Sequence, residues 1–141
     1  VGAKRAAQPV GPIVVDSDVL IWYLRGDRKA KDFFDSIAHP QRVLSTIVAM
    51  ELARGCRDSR ELRRLKSFLG SAFGGTAHVS EEISRRGLSL VHRYTLSHGI
   101  TPDDALIAAT ALTLKARLAT ANVADYRFIS GLTLIPFKPS P

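Results

Sequence analysis

Cysteine is almost absent from this sequence: Cys56 is the only one in 141 residues. A single thiol excludes an internal disulfide and fits a reducing compartment, so a cytoplasmic location is expected. Histidine supplies no zinc-type cluster either. His39, His78, His92 and His98 are scattered and are expected to be surface or core fillers. No apolar run reaches membrane-spanning length, because Asp16 and Asp18 interrupt the hydrophobic stretch near the start. A P-loop and a Gly-x-Gly-x-x-Gly fingerprint are missing too, which removes the simplest nucleotide-binding readings. Acids are outnumbered, 13 Asp plus Glu against 20 Lys plus Arg, leaving a net charge of +7. That balance points to a polyanionic partner, nucleic acid first, although the same excess also serves solubility.

What is present suits one globular domain. Hydrophobic residues make up 45% of the chain, and the length is enough for a core. Residues 1–12 are basic without a signal-peptide core and are expected to form a loose arm. Residues 13–136 are expected to form the domain, and 137–141 an irregular Pro-rich tail.

Short β-branched runs alternate with helical patterns. Strands are expected over residues 10–15, 42–45, 77–79, 117–120 and 132–135. Helices are expected over 19–24 and 29–38, then from Thr46 to Gly55. Another covers 59–69, where Leu62, Leu65, Phe68 and Leu69 oppose Arg60, Arg63, Arg64 and Lys66. A further helix follows the Ser80 cap and ends at His98-Gly99. The last begins at Thr101-Pro102, with Asp103 and Asp104 in its first turn. It is apolar nearly all round and therefore expected to be buried. This alternation predicts an α/β three-layer sandwich with a mainly parallel central sheet of about five strands flanked by helices.

In such sheets the ligand site lies beyond the carboxyl ends of the strands. Asp16 directly follows the first strand, Glu51 sits on the helix after the second, and Asn122 lies just past the fourth. Asp104 heads the buried helix that leads into the fourth strand. Carboxylates gathered without basic neighbours repel unless a cation sits between them, and oxygen donors suit magnesium or manganese. Such ions can activate water against a phosphodiester while Lys and Arg hold the backbone. Taken alone, Asp103 and Asp104 serve equally well as partners of the helix dipole.

Four segments together resemble a known family. They are Val14-Val15-Asp16-Ser17-Asp18-Val19-Leu20-Ile21, Ser45-Thr46 through Glu51-Leu52-Ala53-Arg54-Gly55, Asp104-Ala105-Leu106-Ile107-Ala108-Ala109-Thr110-Ala111, and Leu118-Ala119-Thr120-Ala121-Asn122 with Asp125-Tyr126. In order and spacing they resemble the PIN-domain ribonucleases, above all the toxin subunits of VapBC toxin–antitoxin pairs. The resemblance implies a PIN-like fold and a Mg2+- or Mn2+-dependent endoribonuclease. It further implies an RNA substrate, a VapB-like antitoxin partner and a homodimer. Carried over by position, Asp16, Glu51 and Asp104 are the catalytic, metal-binding acids, and Asn122 takes a fourth ligand site where an acid is commoner. Asp125 is placed to assist it. Asp18 stands where a neutral residue is more usual, and either draws in a second cation or faces solvent or an arginine. Asp103 is read as a dipole partner. Thr46, as a helix cap, and Thr120, at a strand end, either orient ligands or only cap and turn.

Two surfaces follow from the same resemblance. Arg57, Arg60, Arg63 and Arg64 are candidates to track RNA phosphates, or form a solvated helix face. Trp22, Phe33, Phe34, Leu62, Leu65 and Phe68 either build a groove for the antitoxin or pack the core. Two other readings compete. Asp16-Ser17-Asp18 also resembles the Asp-x-Asp motif of haloacid-dehalogenase-like phosphohydrolases, with Asp16 as nucleophile and Asp18 as acid. The second is a binding module of the same fold that does not cleave, to which the neutral Asn122 leans.

Overall fold

Ile13, Val14 and Val15 put branched or bulky apolar side chains in succession, which favours extended backbone buried on both faces. In the computed structural model, which describes residues 11–141, they form β1 (Ile13–Val15) and are almost wholly buried. The expected arm, but for Gly11 and Pro12, and the first residue of the expected first strand lie outside the described residues.

The elements then run α1 (Ser17–Leu24), α2 (Arg28–Ser36), β2 (Arg42–Ser45), α3 (Thr46–Arg54), α4 (Ser59–Ala72), β3 (Gly75–Ala77), α5 (Glu81–His98), α6 (Pro102–Leu114), β4 (Arg117–Thr120) and β5 (Leu134–Pro136). All strand pairs are parallel, in the order β3-β2-β1-β4-β5. The chain builds outward from β1 to β2 and β3, then returns to place β4 on the other side of β1. The reversal falls between β1 and β4, the position where such sheets open a crevice at their carboxyl ends. Among the described residues six helices flank the sheet, as the alternation of patterns predicts. Among the described residues, no helix is long and apolar enough to cross a membrane.

Local chemistry accounts for the helix that heads the site. The Thr101 hydroxyl accepts the Asp104 N–H at 3.2 Å, and Pro102 occupies the first turn, where no N–H is needed. Ala105, Ile107, Ala108, Ala109 and Ala111 of α6 are fully buried, and Thr110 satisfies its own hydroxyl on the Leu106 carbonyl. Gly87 of α5 lets that helix come close, since a Cβ there would meet the Leu106 side chain at 2.8 Å. Gly99 ends α5 at φ 64°, in the left-handed region that costs glycine least.

Several boundaries differ from the pattern. β3 starts two residues early, on Gly75, and β5 two residues late, ending on Pro136. Both are edge strands, where burial does not impose a periodic pattern and a proline lacking an N–H is tolerated. α4 passes through Gly70 to Ala72 because its apolar stripe continues to the buried Phe73. Thr46 does not cap α3. Ser45 does, accepting the Ile47 N–H at 3.1 Å, while the Thr46 hydroxyl donates to the Ala77 carbonyl on β3. Past β5, Phe137 is buried and Ser140 N–H reaches Asp27, so residues 137–141 lie against the domain without regular structure.

The aromatic candidates divide. Phe34 and Leu65 belong to the core, with Phe34 packed on Tyr23 and Phe73 and covered by the Arg42 guanidinium. Trp22, Phe33 and Phe68 are half-buried against it, and Leu62 faces out.

Gly74 provides a test of packing at the entry to β3. A Cβ there would stand 2.6 Å from the Pro40 carbonyl oxygen and 2.8 Å from that of His39, both backbone atoms with little freedom to move. Gly74→Ala is expected to destabilise the domain by about 1–3 kcal/mol, read as a lower urea midpoint.

Candidate active site

Asp16 leaves β1 at the crevice and caps α1, its Oδ1 accepting the Ser17 N–H at 2.8 Å. Its Oδ2 accepts the Thr120 hydroxyl of β4 at 2.8 Å, and its own N–H donates to the Ala119 carbonyl. The same hydroxyl lies 3.2 Å from Asp18 Oδ2, which also accepts the Ala121 N–H at 3.0 Å. A hydroxyl has one proton, so Thr120 serves two carboxylates with a single donor. Burial, and then the Asp18 charge, push the Asp16 carboxyl up to about 7. Burial raises Asp18 as well.

Glu51 and Asp104 close the other side. Burial raises Glu51, which the Ser17 side chain counters and the charges of Asp103 and Asp104 reinforce. Burial also raises Asp104, with Asp125 and Asp103 adding to it, while Tyr126 holds it down. The Tyr126 phenol donates to Asp104 Oδ1 at 3.1 Å and also lies against Asp16, and burial drives its own ionisation far upward.

The acids are thus neighbours; the ion pairs Arg28–Asp32, Arg85–Glu81 and Arg86–Glu82 lie elsewhere, and Arg57–Glu61, in the cleft that Glu51 lines, is closed on itself. Two of their oxygens, Asp18 Oδ1 and Glu51 Oε1, are buried without a hydrogen-bond donor. A buried acceptor left without a donor costs about 1–3 kcal/mol, more when charged. A cation would relieve both the bare oxygens and the mutual repulsion, and an all-oxygen donor set fits a hard divalent ion. Among the described residues no three acids, histidines or cysteines close round a common point.

The remaining expected residues fall into place unevenly. Asn122 follows β4 with an exposed side chain, and its N–H donates to the Thr120 hydroxyl. Asp125 is exposed but near enough to raise Asp104. Asp103 is more than a dipole partner, since it faces Glu51. Thr46 is committed to β3. Glu51 lines a cleft of about 690 Å³ shared with Ile21, Leu24, Leu52, Arg25, Arg57 and Arg64. Arg57 is held by Glu61 at 2.7 Å, and Arg60 and Arg63 are exposed outside this cleft. Of the aromatic and leucine candidates only Leu65 reaches it. Its other apolar lining comes chiefly from α1 and α3, so this cleft is not built from those six residues.

Pattern reading misses Ser17, Arg25 and Tyr126. Ser17 and Tyr126 lie within the matching segments, but the direction of a hydroxyl is set by where two distant segments meet.

This geometry has counterparts. The profile of the PIN domain matches residues 13–128. The chain belongs to the PIN-domain family. This PIN domain is 37% identical over 116 residues to Ribonuclease VapC19 of Mycobacterium tuberculosis, covering 80% of the chain and 90% of that relative. It is 40% identical over 115 residues to Ribonuclease VapC10 of the same organism, covering 79% and 83%. Its fold superposes on a chain of a toxin–antitoxin complex from Klebsiella pneumoniae with a TM-score of 0.73 and 28% identity, over 87% of this chain and 95% of that one. Membership of this family overturns the dehalogenase-like reading. Its later acidic pair should follow a strand, and Asp103-Asp104 instead open α6.

Proposed function

We propose that this PIN domain is a ribonuclease that cuts within RNA with Mg2+ or Mn2+, acting as the toxin of a toxin–antitoxin pair. The observation that carries the reading is the gathering of acids at the β1–β4 reversal, Asp16 buried and Asp18, Glu51 and Asp104 half-buried, with two carboxylate oxygens bare of donors. The two relatives named as VapC ribonucleases support the same activity.

Asp16, Glu51 and Asp104 are the residues to hold the ion, with Asn122 a weaker neutral fourth and Asp18 and Asp125 adding negative charge nearby. When bound, such an ion supplies an acidified water and a positive counter-charge for the phosphoryl oxygens. The protein's own part is positioning. Arg25 and Arg64 of the cleft hold backbone phosphates beside Glu51, while Arg57, already paired, contributes less. Thr120 keeps Asp16 and Asp18 oriented at the strand end. Arg60 and Arg63 extend the positive surface along α4.

An antitoxin is the proposed partner, and the Glu51 cleft, with apolar lining and arginines, is the surface proposed for it. A homodimer and a cytoplasmic setting go with this reading.

Metal removal tests it. The purified chain, free of any antitoxin, is incubated with a structured RNA pool in Mg2+, Mn2+ or excess chelator. Internal cuts are expected with metal and none in chelator, with activity returning when Mn2+ is restored. RNA binding without cutting across several RNAs in either metal would instead favour a module that binds only.

A further inference from the structure

Among the residues around the acids, Tyr126 is the one whose chemistry nothing above requires. It is 1% exposed, an unusual setting for a phenol. It comes from the short turn after β4, and its hydroxyl points to the opening of α6, where it donates to Asp104 Oδ1 at 3.1 Å. Asp16, at the end of β1, lies against the same ring hydroxyl. The Asp16 oxygens accept from Ser17 and Thr120, and the hydrogen bond that the phenol makes by distance and angle is the one to Asp104 Oδ1.

We infer that Tyr126 is a positioning residue for the metal site, its hydroxyl holding the Asp104 carboxylate in a fixed orientation beside Asp16. The inference rests on the reading of these acids as a divalent-cation site. Its physical basis is direct. Asp104 shares the region with Asp16, Asp103 and Asp125, and like charges drive a free carboxylate outward. A buried neutral donor keeps it inward without adding a positive charge that would compete with the ion. A phenylalanine would fill the same volume but leave Asp104 free to turn. The hydroxyl is therefore the part with a function, and the ring is packing.

The test is Mn2+ binding measured by calorimetry on the intact chain without RNA, for the wild type, Tyr126→Phe and Tyr94→Phe. Tyr94 is the control, because it is also buried and its hydroxyl accepts the Ser130 N–H away from the acids. Tyr126→Phe is expected to weaken Mn2+ binding by about tenfold, and Tyr94→Phe to leave it unchanged. A second arm compares melting temperatures of Tyr126→Phe, Asp104→Ala and the double variant in chelator. Loss of the hydroxyl should cost less in the Asp104→Ala background, where no acceptor remains, than in the wild type. A Tyr126→Phe chain that folds only when Asp104 is also replaced supports the same coupling. Equal Mn2+ affinity in wild type and Tyr126→Phe, or strictly additive melting shifts, overturns the inference and leaves the metal site standing. A wild-type chain that takes up no Mn2+ overturns the metal site, and the inference with it.

Discussion

Asp104→Asn is expected to lower the rate of RNA cleavage about a thousandfold while raising the melting temperature of the metal-free protein by a few degrees. The two effects have one cause. Asp104 is half-buried, and burial together with Asp125 and Asp103 disfavours its charged form, so the folded state bears a cost that the unfolded chain avoids. The amide removes the charge and keeps an oxygen to accept the Tyr126 hydroxyl. Catalysis needs that charge to hold the ion. A metal's contribution of several kcal/mol, at 1.36 kcal/mol per tenfold, sets the scale of the loss at roughly 4 kcal/mol. Kinetics on RNA in saturating Mn2+ and thermal melts in chelator read the two halves separately. A variant that cuts at the wild-type rate would remove Asp104 from the site. One that loses both activity and stability would make it a structural residue.

That trade of stability for function also explains which parts of the molecule can be read from the chain. Thr101, Ser80 and Gly99 announce their helix ends because capping is local chemistry, and each does in the structure what its type suggests. β2 and β4 fall on the expected residues because interior strands must be apolar. β3 and β5 depart from the pattern because edge strands carry glycine and proline without penalty. The gathering of Asp16, Asp18 and Thr120 is visible in outline, since acids at strand ends share one edge of a parallel sheet. Thr46 and Ser45 are indistinguishable as caps from sequence, as both can accept an N–H and only the neighbouring Ala77 carbonyl decides between them. The partnership of Tyr126 with Asp104 joins residues 22 apart in sequence, and Arg25 joins Glu51 through a cleft between helices. No periodicity encodes either contact.

In chelator, the stability of the protein is expected to fall as the pH rises from about 4 to about 7, opposite to the usual acid denaturation. The decisive group is Asp16, whose carboxyl is raised from the ordinary 3.8 to about 7 by burial and by Asp18. Between those values the folded chain keeps a proton that the unfolded chain has released. Stability therefore declines with rising pH, by roughly 1.4 kcal/mol per unit for each proton fully withheld, and levels off above the folded value. Asp18 is raised too, and the two interact, so the protons leave as a pair rather than from assigned sites. Glu61 and Asp27, held low by Arg57 and by Ser140 respectively, act in the ordinary sense, but both are at the surface and contribute little. Mn2+ should reverse the trend, because an ion that needs deprotonated ligands binds more tightly as the protons depart. Urea midpoints at pH 4.5, 6 and 7.5, in chelator and in Mn2+, supply the comparison, with Asp16→Asn expected to flatten the chelator series. A chelated wild type that grows more stable from pH 4.5 to 7.5 would mean that Asp16 is charged in the native fold and that its burial is relieved without a cation.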